Sequence, residues 1–255
     1  MRNGVPLERA LSKLGLASRS QARELIIAGK VEVDGRPIRD PALNVIPERI
    51  TIRIDGMDRS PWTFIALHKP RGVITSRRDP EGRPTVYDLI TDLGVRVVPV
   101  GRLDFATSGL LLMTNDTHLA NRLTDPANAI VRRYLVTVRG ELTDERSRAL
   151  ERGVTDRGER LRAKHVGVRK RSKRETHLTI DLVEGKNREI RRMLEAAGHE
   201  VTRLKRIAFG ALELGALPPG KWRTVTRAEV ARVFGRLQAE ASKSSSDVRA
   251  LEKDT

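Results

Sequence analysis

A continuous apolar run behind a short loop constrains the fold more than any other feature of this sequence. The run, Leu110–Met113, ends the stretch Gly101–Asp116, which begins with a turn-prone glycine and contains one early acidic residue. This order predicts a strand, an irregular loop and a second buried strand. The strands would hold the loop residue Asp104 rigidly while leaving it exposed. Asp104 is then either a chemical group or a turn residue that bonds its own backbone.

The chain carries a large positive charge. Its 255 residues include 49 Lys and Arg against 33 Asp and Glu, which gives a formal net charge of +16 at pH 7. Such an excess attracts polyanions, of which nucleic acid is the usual one in the cytoplasm. A merely solvated basic surface is the alternative. Aromatic residues make up only 3%, which argues against the stacking platforms of single-strand-binding proteins.

Several classes of protein are excluded by what the sequence lacks. It has no cysteine, so disulfides and thiolate metal sites are ruled out, and its five histidines show no ligand spacing. No apolar run approaches the ~20 residues of a membrane helix. The first residues contain no apolar segment of the secretory type. We expect a cytoplasmic protein without a metal or a membrane partner.

Residues 5–56 are predicted to form a small module of two helices and short strands. Ser18 and Gln21 have the spacing of a capping box at the start of the second helix. Arg19 and Arg23 lie on the outer side of that helix, and Lys30 follows it. A basic helical face in a compact module favours nucleic-acid binding. An ordinary small α+β domain is the alternative.

The rest of the chain is divided by composition. Residues 57–62 are short, polar and contain a proline, as a linker does, and residues 238–255 have almost no core-forming side chains and are predicted to be disordered. Between them, residues 63–237 are predicted to form an α+β domain on a mixed, mainly antiparallel β-sheet. Its predicted elements include a helix at Val86–Leu93, strands at Arg162–Val168 and His177–Val183, and a final helix opened by Thr226 and Glu229. The basic connection 169–174 is either a phosphate contact or a mobile solvated loop.

Three separate elements of this domain carry residues suited to one reaction. They are Asp104, Tyr134 on a later strand, and an arginine-rich helix start with Arg188, Arg191 and Arg192. A nearby guanidinium favours an ionised carboxylate, and an ionised carboxylate can attack carbon. A single acidic residue argues against ordinary glycoside hydrolysis, which uses two. An aromatic ring can stack on a base that has left its helix. Taken separately, a residue such as Tyr134 is more often a half-buried core residue, and one such as Arg191 is more often a surface residue of a helix.

The N-terminal module resembles a known RNA-binding domain. The strings Leu14–Ala22 and Ile26–Gly35 are similar to the domain named after ribosomal small-subunit protein four. The resemblance covers most of the module. It implies that the helix with Arg19 and Arg23 faces structured RNA.

Three motifs of the larger domain match those of a known family. They are Gly101–Asp104 followed by Thr107–Leu111, Arg133-Tyr134, and Glu184–Arg192. With these motifs the domain resembles the ribosomal pseudouridine synthases, which modify single uridines in rRNA. His68–Gly72 is similar to the family's opening motif, in which His68 is a departure. Ala106 is another departure, since an aspartate is common there. Neither departure falls on the residue that matches the nucleophile.

The resemblance implies a function and a set of site residues. It implies isomerisation of uridine to pseudouridine in rRNA, with 23S rRNA of the large subunit, free or in a pre-ribosomal particle, favoured over 16S rRNA, and with no cofactor. Asp104 takes the place of the catalytic carboxylate, Tyr134 of the base-stacking ring and Arg191 of its basic partner. Further RNA contacts are predicted at Arg102, Lys69, Arg188, Arg192, Arg19, Arg23 and Lys30. A non-catalytic assembly factor and a tRNA-modifying enzyme are alternatives, and we expect a monomer.

Overall fold

The protein is described here by a computed structural model, in which residues 4–14, 16–47, 50–55 and 61–235 are described. They form two compact units. The first comprises the described parts of Met1–Thr63 with Val95–Val98 and Thr114–Asn121; the second comprises Phe64–Gly94, Pro99–Met113 and the described part of Arg122–Thr255. Most of the predicted linker and the whole predicted tail lie outside the described residues.

The N-terminal part of the first unit combines two helices with short antiparallel strands. Its elements in chain order are β1 Val5–Pro6, α1 Leu7–Lys13, α2 Arg19–Ile27, β2 Val31–Val33, β3 Arg36–Ile38, β4 Asn44–Val45 and β5 Ile52–Ile54. β1 pairs with β4, and β2 lies between β3 and β5. The predicted capping box is present, because the Ser18 side chain accepts from the Gln21 amide at 3.4 Å and Gln21 Oε1 accepts from the Ser18 amide at 3.3 Å. Buried apolar side chains of both helices and of β2 form one core.

The second unit is built on a mixed nine-stranded sheet. The remaining elements of the chain are β6 Phe64–Lys69, β7 Val98–Pro99, β8 Ser108–Thr114, α3 Thr117–Thr124, β9 Arg132–Arg139, α4 Asp144–Arg152, β10 Val154–Asp156, β11 Glu159–Leu161, β12 His165–Arg171, β13 Glu175–Leu182, α5 Glu189–Ala196, β14 Val201–Phe209, β15 Leu212–Glu213, β16 Trp222–Thr224 and a helix, α6, at residues 227–235. The sheet order is β12-β13-β9-β14-β8-β6-β16, with β15 beside β14 and β7 beside β8. The α+β fold with a mixed sheet is therefore confirmed.

The apolar run of β8 lies in the middle of this sheet. Leu110, Leu111, Leu112 and Met113 are all 0% exposed. β8 runs parallel to β14, with Gly109 opposite Arg206. Gly109 has a φ of +112°, and a Cβ there would lie 2.1 Å from the Arg206 carbonyl oxygen. Only glycine fits this close approach, which fixes the end of the Asp104 loop against β14.

Some predicted helices and strands of the second unit differ from the observed ones. Val86–Leu93 is not an α-helix; it contains turns and one 3₁₀ turn at Thr91–Leu93. The amides of Asp88, Ile90 and Leu93 donate to carbonyls three residues earlier, at 3.2, 3.2 and 3.1 Å, so the segment forms successive turns instead of an α-helix. The strand predicted at Arg162–Val168 lies at His165–Arg171, and the small hairpin β10–β11 was missed. The cap of α6 is present, since Thr226 Oγ1 accepts from the Glu229 amide at 3.1 Å.

The described residues contain neither a membrane-spanning helix nor a cluster of metal ligands. None of their helices is long and apolar enough to cross a membrane. The same residues contain no group of three or more His, Cys, Asp or Glu side chains placed to hold a metal ion.

Candidate active site

A pocket of about 250 Å³ lies in the second unit, where the Asp104 loop meets the start of β9 and the start of α5. Asp104, Tyr134 and Arg188 all contribute to its walls. These residues come from three distant parts of the sequence. The pocket thus brings together the loop carboxylate, the aromatic ring and the basic helix start that the sequence singled out.

Lys69 organises the loop that carries Asp104. Its side chain at the end of β6 is fully buried, and its Nζ donates to the carbonyls of Pro70 at 3.0 Å, Asp104 at 3.1 Å and Thr107 at 2.8 Å. Burial lowers the pKa of the Lys69 ammonium to about 8, although the negative charge of Asp104 acts to raise it. The prediction that Lys69 contacts RNA is therefore wrong, because its ammonium is enclosed by the loop.

Further bonds hold the loop backbone in place. The Thr107 amide donates to the Asp104 carbonyl at 3.0 Å, which closes a turn around the acidic residue. Thr75 bonds both the amide and the carbonyl of Leu103, at 3.2 and 2.9 Å. The Asp104 backbone is therefore fixed on both sides, while its side chain remains half-buried at the pocket wall.

Tyr134 lies on β9 in the middle of the sheet. It pairs with Ile180 of β13 on one side and Arg206 of β14 on the other. Its side chain is 9% exposed and lines the pocket. Because the Tyr134 backbone is paired on both sides, its ring is rigidly anchored at the pocket wall, as base stacking requires.

Arg191 lies near Asp104 without forming the direct ion pair that was predicted. Its guanidinium donates to the carbonyls of Val201 at 3.1 Å and Ala106 at 3.2 Å. Within the described part of the chain, no cation lies within 4.0 Å of the Asp104 carboxylate oxygens. Burial lowers the pKa of Arg191, the charge of Arg188 lowers it further, and the charge of Asp104 raises it. The Arg191 side chain thus binds a backbone carbonyl of the Asp104 loop. Its interaction with the Asp104 carboxylate is one of charge at longer range.

The other predicted contacts of this unit divide into two groups. Arg102 and Arg188 are exposed and line the pocket, where they are available to an anionic ligand. Arg192 instead pairs with Asp156 at 2.6 Å and Glu159 at 2.7 Å, and its side chain is only 14% exposed. The prediction that Arg192 contacts RNA finds no support here, because its guanidinium fastens α5 to the β10–β11 hairpin.

The predicted RNA contacts of the first unit lie on its surface. Arg19, Arg23 and Lys30 are all exposed. Arg23 has a partner in Glu8 at 3.4 Å, yet its side chain remains 63% exposed. All three positive charges are accessible to an RNA phosphate.

Three buried polar residues of the pocket walls were not predicted as site residues. They are Arg132, Glu189 and Arg206, with exposed fractions of 6%, 3% and 2%. Burial raises the pKa of the Glu189 carboxyl and lowers the pKa of the Arg132 guanidinium. Glu189 Oε1 and Arg206 Nη2 are buried without a hydrogen-bond partner. Their positions on β9, in the motif Glu184–Arg192 and on β14 carried no sequence signal that separated them from surface charges.

The chain is similar to known proteins over nearly its whole length. Residues 63–196 match the family model for RNA pseudouridylate synthase, and residues 5–48 match that for the S4 domain. The chain is 38% identical over 233 residues to an uncharacterized RNA pseudouridine synthase of Aquifex aeolicus, covering 90% of this chain and 94% of that protein. It is also 38% identical over 230 residues to ribosomal large subunit pseudouridine synthase B of Bacillus subtilis, covering 89% and 94%.

A solved structure shows the same fold. A crystal structure of a pseudouridylate synthase matches 90% of this chain and 100% of its own, with a TM-score of 0.66 and 24% sequence identity. The family match covers more than half of the chain, and the relatives extend over nearly all of it. The chain therefore belongs to the RNA pseudouridylate synthase family and is an isomerase that converts uridine in RNA to pseudouridine.

Proposed function

We propose that this enzyme isomerises a single uridine of large-subunit rRNA, with Asp104 as its essential carboxylate. The observation that carries the proposal is that Asp104 and Tyr134 form walls of one pocket in a chain of this family. The reaction detaches uracil from ribose, turns it and rejoins it through carbon-five. It is an isomerisation and therefore needs no external oxidant, reductant or energy source.

The target uridine leaves its helix and enters the pocket. Asp104 supplies the carboxylate for the reaction, and the Lys69 and Arg191 bonds to its loop keep it from moving away when RNA binds. Tyr134 stacks on the uracil and retains the free base during its rotation. Arg102 and Arg188 hold the flanking phosphates at the pocket edge.

The named relatives support the choice of rRNA. Proteins from Bacillus subtilis and Escherichia coli with 38% and 37% identity are both named ribosomal large subunit pseudouridine synthase B. We assign 23S rRNA as the substrate on this basis, free or in a pre-ribosomal particle, which places the enzyme in the cytoplasm. Arg19, Arg23 and Lys30 of the N-terminal domain then bind structured RNA beside the target.

Mapping pseudouridine in cells that lack the protein tests the substrate. Total 23S rRNA, 16S rRNA and tRNA are compared with those of the parent strain at single-nucleotide resolution. We expect the loss of pseudouridine from 23S rRNA and its return when the wild-type gene is restored. Unchanged 23S rRNA with a loss in 16S rRNA or tRNA would overturn the assignment to the large subunit.

A further inference from the structure

Phe105 is an exposed aromatic residue directly after Asp104. Its side chain is 46% exposed, and only Ile27 and Val168 are comparably exposed among the large apolar residues that the structure describes. Single exposed apolar residues are ordinary on protein surfaces. Phe105 differs because it follows the proposed catalytic carboxylate in a chain with only 3% aromatic residues.

The backbone of Phe105 is held in place although its ring is exposed. Its carbonyl accepts from the Gly72 amide at 2.9 Å. The loop is fixed on either side by the bonds from Lys69 to the Asp104 and Thr107 carbonyls. A ring on a fixed backbone loses little conformational freedom when it meets a ligand.

The ring lies outside the pocket, whereas Asp104 and Thr107 line it. The Arg83 guanidinium carbon is 6.0 Å from the ring centroid, and Arg83 is itself paired with Asp79 at 2.8 Å and Glu81 at 3.0 Å. Two carboxylates thus hold the guanidinium beside the ring, and the ring is the apolar part of the surface next to the pocket. The face of a stacked base is complementary to such a ring.

We propose that Phe105 enters the RNA base stack at the place that the target uridine leaves. This inference rests on the proposed flipping of the uridine into the pocket, and it assigns a role to the residue next to the carboxylate. Removal of a base from a helix exposes the faces of its two neighbours, and an apolar wedge that covers them lowers the cost of flipping. Phe105 then contacts the RNA and favours the flipped state without touching the reacting atoms.

The test compares two RNAs that differ only in the pairing of the target. The first is a hairpin that the wild-type enzyme isomerises and whose target uridine is paired; in the second, the nucleotide opposite the target is deleted, so that the uridine forms a bulge. A bulged base leaves little gap when it flips, because the helix closes behind it. Turnover is followed by tritium release from carbon-five under single-turnover conditions.

We expect Phe105→Ala to slow the reaction on the paired target about tenfold or more, and to change the bulged target about twofold or less. Phe105→Trp retains the ring surface and is expected to keep most of the activity on both RNAs. Val168→Ala is the matched control, since Val168 is an exposed apolar residue on β12, and it is expected to leave both rates unchanged. Thermal unfolding of Phe105→Ala is expected to match the wild type, because the side chain is half exposed.

If Phe105→Ala slowed the reaction equally on both RNAs, or on neither, the proposal that Phe105 acts as a wedge would be overturned. This outcome is distinct from a failure of the proposed chemistry. If Asp104→Asn retained activity, the role of Asp104 would fail, while the ratio between paired and bulged targets would still report on Phe105.

Discussion

At the scale of single residues, the side chains of the site are positioned by backbone bonds and strand pairing and not by ion pairs between them. Asp104 is fixed through its backbone, Tyr134 by two neighbouring strands, and Arg191 by two carbonyls. Binding of RNA therefore meets a preformed pocket. Pre-organisation of this kind keeps these side chains in place without a further ordering cost.

Substitution of Tyr134 separates the ring from its hydroxyl. We expect Tyr134→Phe to keep RNA binding and to reduce turnover little, if stacking on the base is the role of the ring. Tyr134→Ala is expected to lower kcat/KM on the order of 100-fold and to cost about 3 kcal/mol of stability, because it leaves a cavity in the sheet. Tritium release and urea unfolding measure the two effects. Full activity of a folded Tyr134→Ala variant would exclude a stacking role.

Lys69 gives a pH-dependent contribution to stability. Its folded-state pKa is about 8 against a reference value of 10.5. Between these values the unfolded chain binds a proton that the folded chain has lost, so the free energy of unfolding increases with pH. We expect the stability of the wild type, relative to Lys69→Met, to rise by about 2 kcal/mol between about pH 7.5 and 10. Urea unfolding at both pH values measures this difference, and a constant difference would contradict the burial of a titrating ammonium.

At the scale of elements, the position of the Asp104 loop is fixed by the pairing of β8 with β14. The sequence was sufficient to predict this strand, because an apolar run behind a glycine has few alternatives. It was sufficient for the start of α2 as well, where the predicted capping box of Ser18 and Gln21 is present. The segment Val86–Leu93 has helical spacing, yet its backbone amides donate to carbonyls three residues earlier and give it turns. Periodicity does not separate such turns from an α-helix.

The candidate site was likewise predicted from the sequence only in part. The resemblance of the motifs around Asp104 and Tyr134 to one family predicted that both belong to one site, and both line one pocket. Lys69 was misjudged because a lysine in a basic turn gives no sign of burial. Arg192 was misjudged because its partners Asp156 and Glu159 belong to a hairpin that the pattern did not predict.

Substitution of Gly109 tests whether β8 must lie as close to β14 as the structure shows. Gly109→Ala places a Cβ 2.1 Å from the Arg206 carbonyl oxygen at a φ of +112°. We expect a loss of about 3 kcal/mol or more in the free energy of unfolding, with loss of activity. Gly185→Ala is the control for stability, because no atom lies within 4 Å of its Cβ position. Equal stability of the two variants, measured by urea unfolding, would show that the strands tolerate a wider spacing.

At the scale of the whole molecule, charge governs the encounter with RNA. A net charge of +16 predicts that binding releases many counterions. We expect the affinity for an rRNA fragment to fall on the order of 100-fold or more between roughly 50 and 200 mM salt. Exchange of Arg19 and Arg23 for Gln is expected to reduce the slope of log affinity against log salt by about one for each residue that contacts a phosphate. Filter binding over a salt series measures this slope, and a flat response would contradict binding through a basic surface.

The role of Asp104 is tested most directly by Asp104→Asn, a change that preserves size and removes the negative charge. The RNA is one that the wild type isomerises, and binding and tritium release are measured on the same samples. We expect the affinity to stay within about threefold, and single-turnover isomerisation to fall by at least a factor on the order of 10³. An Asp104→Asn variant that binds and isomerises the RNA at the wild-type rate would contradict the assignment of this residue as the essential carboxylate.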